Sequence, residues 1–123
     1  MKKIDIEFFG IGQQIWFNIG RLKRIEEILK KPIGAVLQES DQLSLSNLIV
    51  FLQVGMSQLG NKPAQYFEQK IDEALDNGAS IVDIQQCVLK AVAGSGLLGK
   101  EYYYQMFPEE RLADAQAVAE KNE

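Results

Sequence analysis

The sequence predicts an α+β fold that is mostly α. An N-terminal β-hairpin packs on a bundle of about four to five helices, with a central helix over 44–59. Three observations carry this. Lys3–Phe8 and Gln14–Ile19 alternate apolar and polar residues. Later stretches repeat apolar residues at three- and four-residue steps. Ser44–Gly60 is apolar on nearly every face, so it needs cover on several sides.

In the first strand, Ile4, Ile6 and Phe8 form one side and Lys3, Asp5 and Glu7 the other. Gly10 and Gly12 bracket Ile11 in a turn. The pattern resumes through Ile15, Phe17 and Ile19, with Trp16 opposite Phe17. Two strands alone are marginal in water, so the hairpin is expected to lie on helices.

Asn18 can cap a helix running to about Lys31, with an inner stripe of Leu22, Ile25, Ile28 and Leu29. Glu26–Lys30 and Glu27–Lys31 have the spacing and order of supporting ion pairs. Pro32 ends this helix and starts a short turn through Ile33, Val36 and Leu37. Residues 39–42 form a polar link.

Ser44 then caps the central helix, whose main stripe is Leu45, Leu48, Ile49, Leu52, Met56 and Leu59. Val50, Phe51 and Val54 add apolar groups on other faces. Gly55 costs about 1 kcal/mol against Ala inside a helix, so its position predicts a close neighbour. Gly60 is the expected stop.

Pro63 opens the next helix, with Tyr66 or Phe67, the Lys70 stem, Ile71, Ala74 and Leu75 inward and Asn77-Gly78 at its end. Ser80 and Asp83 approximate a capping box for a helix burying Ile81, Ile84, Val88 and Val92. Gly94-Ser95-Gly96 breaks it, and the aromatic run Tyr102–Phe107 follows. The segment from Pro108 has good helix propensity but only Leu112 and Val118 as sizeable apolar groups. The expected organisation is a single globular domain over 1–107 and an acidic, frayed helical or disordered tail over 108–123.

The 123 residues suit one domain, and 46% hydrophobic with 24% charged residues is ordinary globular composition. A net charge of −4 gives no general attraction to nucleic acid or anionic membranes. Five basic residues of 21–31 (Arg21, Lys23, Arg24, Lys30, Lys31) form a cationic face with no aromatic stacking platform expected beside it, which ranks nucleic acid last among partners. Cys87 is the single cysteine and there is no histidine, which removes the commonest metal ligand and neutral-pH base. No cofactor, metal or catalytic residue is expected. Charges near Met1 interrupt any signal-peptide core, no apolar run reaches spanning length, and an intracellular protein is expected.

Two motifs compete with bland alternatives. Gly94–Lys100 matches the GxxxxGK part of a phosphate-binding loop, but Glu101 stands where Ser or Thr should hold magnesium, and a helix rather than a strand precedes it. Nucleotide binding is therefore the third-ranked function. Tyr102, Tyr103, Tyr104, Met106 and Phe107 exceed what one helix face buries, and such residues gather at interface centres. The alternative is that Tyr103 and Phe107 pack on the core while the other tyrosines lie along the surface.

The ensemble of motifs resembles the tail assembly chaperones of long-tailed bacteriophages, of the kind found in phages and prophages of Gram-positive hosts. The residues carrying it are the N-terminal hairpin, the helix ending at Lys31-Pro32-Ile33, LIVFLQVGM over 48–56, Tyr66-Phe67, KIDEALDNGASIVDI over 70–84 and GLLGK over 96–100. The resemblance spans about residues 4–107. It implies a non-enzymatic protein that binds the helical tape-measure protein and aids assembly of tail-tube protein, in the bacterial host cytoplasm and absent from the mature virion. On that reading Tyr102, Tyr104, Met106 and Phe51 supply a client or self-association surface. A structural tail or head–tail connector subunit is the alternative.

Overall fold

Seven α-helices and one antiparallel pair of short strands account for most of the described residues, 1–38 and 44–121 of a computed structural model. The order is β1 (Ile4–Asp5), a 3-10 turn (Glu7–Phe9), β2 (Gln14–Ile15), α1 (Ile19–Leu29), α2 (Ile33–Gln38) and α3 (Leu45–Gly55). A second 3-10 turn (Ser57–Leu59), α4 (Ala64–Asp76), α5 (Ile81–Gly94), α6 (Lys100–Met106) and α7 (Pro108–Lys121) follow. The polar link at 39–42 and the side chain of Val118 lie outside the described residues.

The strands pair as Ile4 with Ile15 and Asp5 with Gln14, over two residues each. They are shorter than the alternation predicts because Glu7–Phe9 winds into a 3-10 turn. That turn brings Phe9 rather than Phe8 into the core. Ile6, Ile15 and Phe17 are fully buried as their pattern requires, whereas Ile19 begins α1 and is exposed.

The Asn18 side chain accepts the Arg21 N–H at 2.9 Å, capping α1. Lys30 ends that helix in the left-handed conformation, φ 57°. The Glu26 carboxylate, expected to pair with Lys30, accepts the Ile33 N–H at 2.7 Å instead and so caps the start of α2.

The centre of the core is α3, which packs against α1, α4 and α5. Ser44 caps it by accepting the Asn47 N–H at 3.2 Å. Leu48, Phe51, Leu52, Val54 and Met56 are buried, while Leu45 at the first turn is exposed. Phe51, offered above as part of a client surface, is fully buried and meets Phe17 edge-on at 5.9 Å, so it is no part of any client surface. The helix is α-helical to Gly55 and tightens to a 3-10 turn before Gly60, because the Gly55 carbonyl is taken by the Trp16 N–H at 3.1 Å and by Arg21 at 2.8 Å.

Both bonds of the Ser80–Asp83 capping box form, at 3.2 and 3.0 Å, and α5 then buries Ile84, Val88, Ala91 and Val92. The strand pair lies on α5. Among the described residues no helix is long and apolar enough to cross a membrane.

Candidate protein-interaction surface

The aromatic run is positioned by the end of α5. Gly94 closes that helix with no room for a side chain. An added β-carbon there would lie 2.9 Å from Lys2 Cβ and 3.3 Å from the Lys2 carbonyl oxygen. The Lys2 N–H donates to the Gly94 carbonyl at 3.1 Å, so the N-terminal segment is tied to the C-terminus of α5. Ser95 stabilises the turn by donating to the Val92 carbonyl at 2.5 Å and accepting the Leu97 N–H at 3.1 Å. Gly96 and Gly99 take φ of +83° and +88°, a region costly for other residues. The chain then enters α6, which packs on α5 and α7.

Within α6, Tyr102, Tyr103, Tyr104 and Met106 are half-buried and Phe107, just past its end, is 4% exposed. Tyr103 meets Tyr104 edge-on at 5.8 Å and the Phe107 ring at 4.9 Å. The Lys2 ammonium sits 4.5 Å over the Phe107 ring, a cation–π contact. Phe107 therefore seats Lys2 and Tyr103. Tyr102 and Met106, four apart, share a separate helix face.

Polar bonds join this cluster to α7. The Tyr103 hydroxyl donates to Glu110, the Tyr104 hydroxyl donates to Asp114, and the Lys2 ammonium pairs with Glu110. Arg111 pairs with Glu101 at 2.5 Å and lies 5.3 Å from the Tyr104 ring. The bond to Glu110, then burial and the nearby carboxylates, push the Tyr103 phenol up to about 12. Asp114 raises Tyr104 in the same way. Glu110 is held below the ordinary carboxylate range by the bonds from Lys2 and then Tyr103, against a smaller opposing effect of burial. The segment expected to be a frayed helical or disordered tail is a helix over Pro108–Lys121 with four side-chain ties to the rest of the chain.

A cleft of ≈ 360 Å³ remains between α6 and α7, lined by Gly96, Gly99, Lys100, Tyr103, Tyr104, Glu110 and Asp114. It lies at the GxxxxGK match, which is a turn between two helices with Lys100 opening α6. A phosphate there would face two carboxylates, the wrong sign for binding one. Cys87 is half-buried in α5, and burial raises its thiol pKa.

The sequence located the aromatics but not their partners. Lys2 is distant in sequence, and the pattern gives Glu110 and Asp114 no partner. Their one useful signal was a carboxylate pair four apart, immediately after a proline that folds the chain back on two tyrosines. Arg21 was also misplaced. Rather than joining a solvated cationic face, it stacks on Trp16 at 3.1 Å, and one terminal nitrogen reaches the Trp16 and Gly55 carbonyls and Gln58. Trp16 does lie beside that face, with its ring covered by Arg21. Comparison with protein-family models, curated proteins and solved structures finds no match.

Proposed function

We propose that this chain is a non-enzymatic phage tail assembly chaperone. It binds the helical tape-measure protein and aids assembly of tail-tube protein around it, in the host cytoplasm and without entering the mature virion. The observation that supports this most directly is the aromatic and methionine row of α6, where Tyr102 and Met106 lie half-buried on a face of their own beside the Tyr103–Tyr104 face that polar bonds tie to α7. Such a row offers apolar area to an amphipathic helix, and the neighbouring charges keep a complex in solution. The motif resemblance over about residues 4–107 supplies the client's identity.

Co-expression with a tape-measure protein tests this. Wild-type chain is expected to co-purify with the client and keep it in the soluble fraction, and Tyr102→Ala/Tyr104→Ala to lose both. Equal recovery of soluble client with and without the chain would overturn the reading. Presence of the chain in purified virions would favour a structural tail or connector subunit.

A further inference from the structure

The face of α6 that carries Tyr103 and Tyr104 is already occupied by a helix of the same chain, and the manner of that occupation describes a ligand. Glu110 and Asp114 stand one helical turn apart and accept from two adjacent tyrosine hydroxyls. Lys2 adds a cationic contact to the first carboxylate. The site therefore reads a pair of carboxylates at the i, i+4 spacing of one helix.

Among its described side chains, α7 offers little apolar filling. Its Leu112 is 68% exposed. Ala115 and Ala117 are the α7 residues that, with Arg111 and Asp114, border a cleft of ≈ 640 Å³ against Lys100 and Tyr104 of α6, and the ≈ 360 Å³ cleft beside Tyr103 and Glu110 is also open. A helix end held by polar bonds over unfilled space belongs among the weakly held parts of a fold. Nor can a released α7 simply extend α6, because Pro108 in a helix interior would clash with the carbonyl four residues earlier. It stays a separate arm, joined through Phe107 and competing at high effective concentration.

We propose that this face of α6 is a helix-acceptor site which α7 fills in cis. Its ligand in trans is an amphipathic helix of another protein bearing two carboxylates four residues apart and large apolar side chains beside them. Such a helix keeps the hydrogen bonds of α7 and fills the cleft that α7 leaves. A second copy's α7 brings the same alanines and gains nothing over the tethered one, so exchange between copies is disfavoured. The inference rests on the chaperone reading only for the identity of the natural client.

Fluorescence anisotropy on the full-length chain tests it with labelled peptides. One copies Pro108–Lys121, a second carries Ala115→Leu and Ala117→Leu, and a third adds Glu110→Gln and Asp114→Asn to the second. The leucine peptide is expected to bind wild-type protein at least about tenfold more tightly than the copy, since two apolar side chains are added to the same polar contacts. Binding should tighten further on the Glu110→Gln/Asp114→Asn protein, whose own α7 is loosened. It should fall at least about tenfold when the peptide loses its carboxylates. In wild-type protein, the leucine peptide should remove hydrogen-exchange protection from α7 alone, a readout that needs no variant to fold. A leucine peptide that binds no better than the copy, ignores its carboxylates or leaves α7 protected would overturn the proposal. So would a dimer formed by exchange of α7. Peptide binding without tape-measure recovery overturns the chaperone reading alone, and tape-measure recovery without peptide binding overturns this one.

Discussion

Ile15 occupies the place where a β-carbon of Gly55 would stand, with its Cγ1 2.6 Å from that point and Phe17 Cζ 2.7 Å from it. The hairpin thus rests on the backbone of the central helix. Gly55→Ala should lower stability by about 1–3 kcal/mol through overpacking, outweighing alanine's helix advantage of about 1 kcal/mol. Gly34 supplies the contrast. It sits in α2 with an ordinary φ and open space where an alanine methyl would stand, so Gly34→Ala should raise stability by about 0.5–1 kcal/mol. Urea midpoints at unchanged slope would register both signs.

Arg21 binds the same junction from the other side. Its guanidinium joins the Trp16 and Gly55 carbonyls to Gln58 while stacking on the indole. A lysine ammonium cannot lay a flat face on the indole while reaching the same three acceptors. Arg21→Lys should therefore cost about 1.5–3 kcal/mol, the range for hydrogen bonds to a charged group. Trp16 emission should shift to the red in the folded state. An unchanged spectrum with unchanged stability would mean that the stack contributes nothing.

What the sequence reveals is decided by how local the physics is. The Asn18, Ser44 and Ser80–Asp83 caps span three residues each, and all three form as their spacing predicts. The crowding at Gly55 was legible because glycine inside an apolar helix needs a reason. The strand lengths were not, because the 3-10 turn at Glu7–Phe9 reverses which phenylalanine faces inward, and alternation cannot register that. The aromatic run was visible, but its ties to Lys2, Glu110 and Asp114 depend on how α6 meets α7 and the N-terminus. Such long-range pairing leaves no periodic trace.

Cys87 should behave as a packed thiol. Burial raises its pKa and Asp83 adds to this, while Lys90 opposes them. Little thiolate then exists near neutrality, and the thiolate is the reacting form. Disulfide exchange with Ellman's reagent should run at least about tenfold slower in native protein than in urea-unfolded protein at the same pH. Equal rates would show an accessible, unperturbed cysteine.

The α6–α7 junction should be closed across a defined pH window. Tyr103 has its pKa raised from 10.0 to about 12, so its contribution is complete below pH about 10 and disappears as pH rises through about 12. Glu110 has its pKa lowered, so its contribution is complete above its ordinary 4.5 and is lost as pH falls through its folded value. The acid limb reports chiefly the Lys2–Glu110 pair and then the Tyr103–Glu110 bond, which the alkaline limb also reports, so the two limbs are not additive. Tyr104 with Asp114 should reinforce the alkaline limb. The thermal midpoint of wild type minus that of Glu110→Gln should be constant between about pH 5 and 10 and shrink on both sides. A phenolate absorbance titration should show late-titrating tyrosine that Tyr103→Phe removes. A difference that stayed flat down to about pH 2 would mean Glu110 is not ionised against Lys2 and Tyr103, and the polar hold on α7 would have to lie in Asp114 and Arg111 instead.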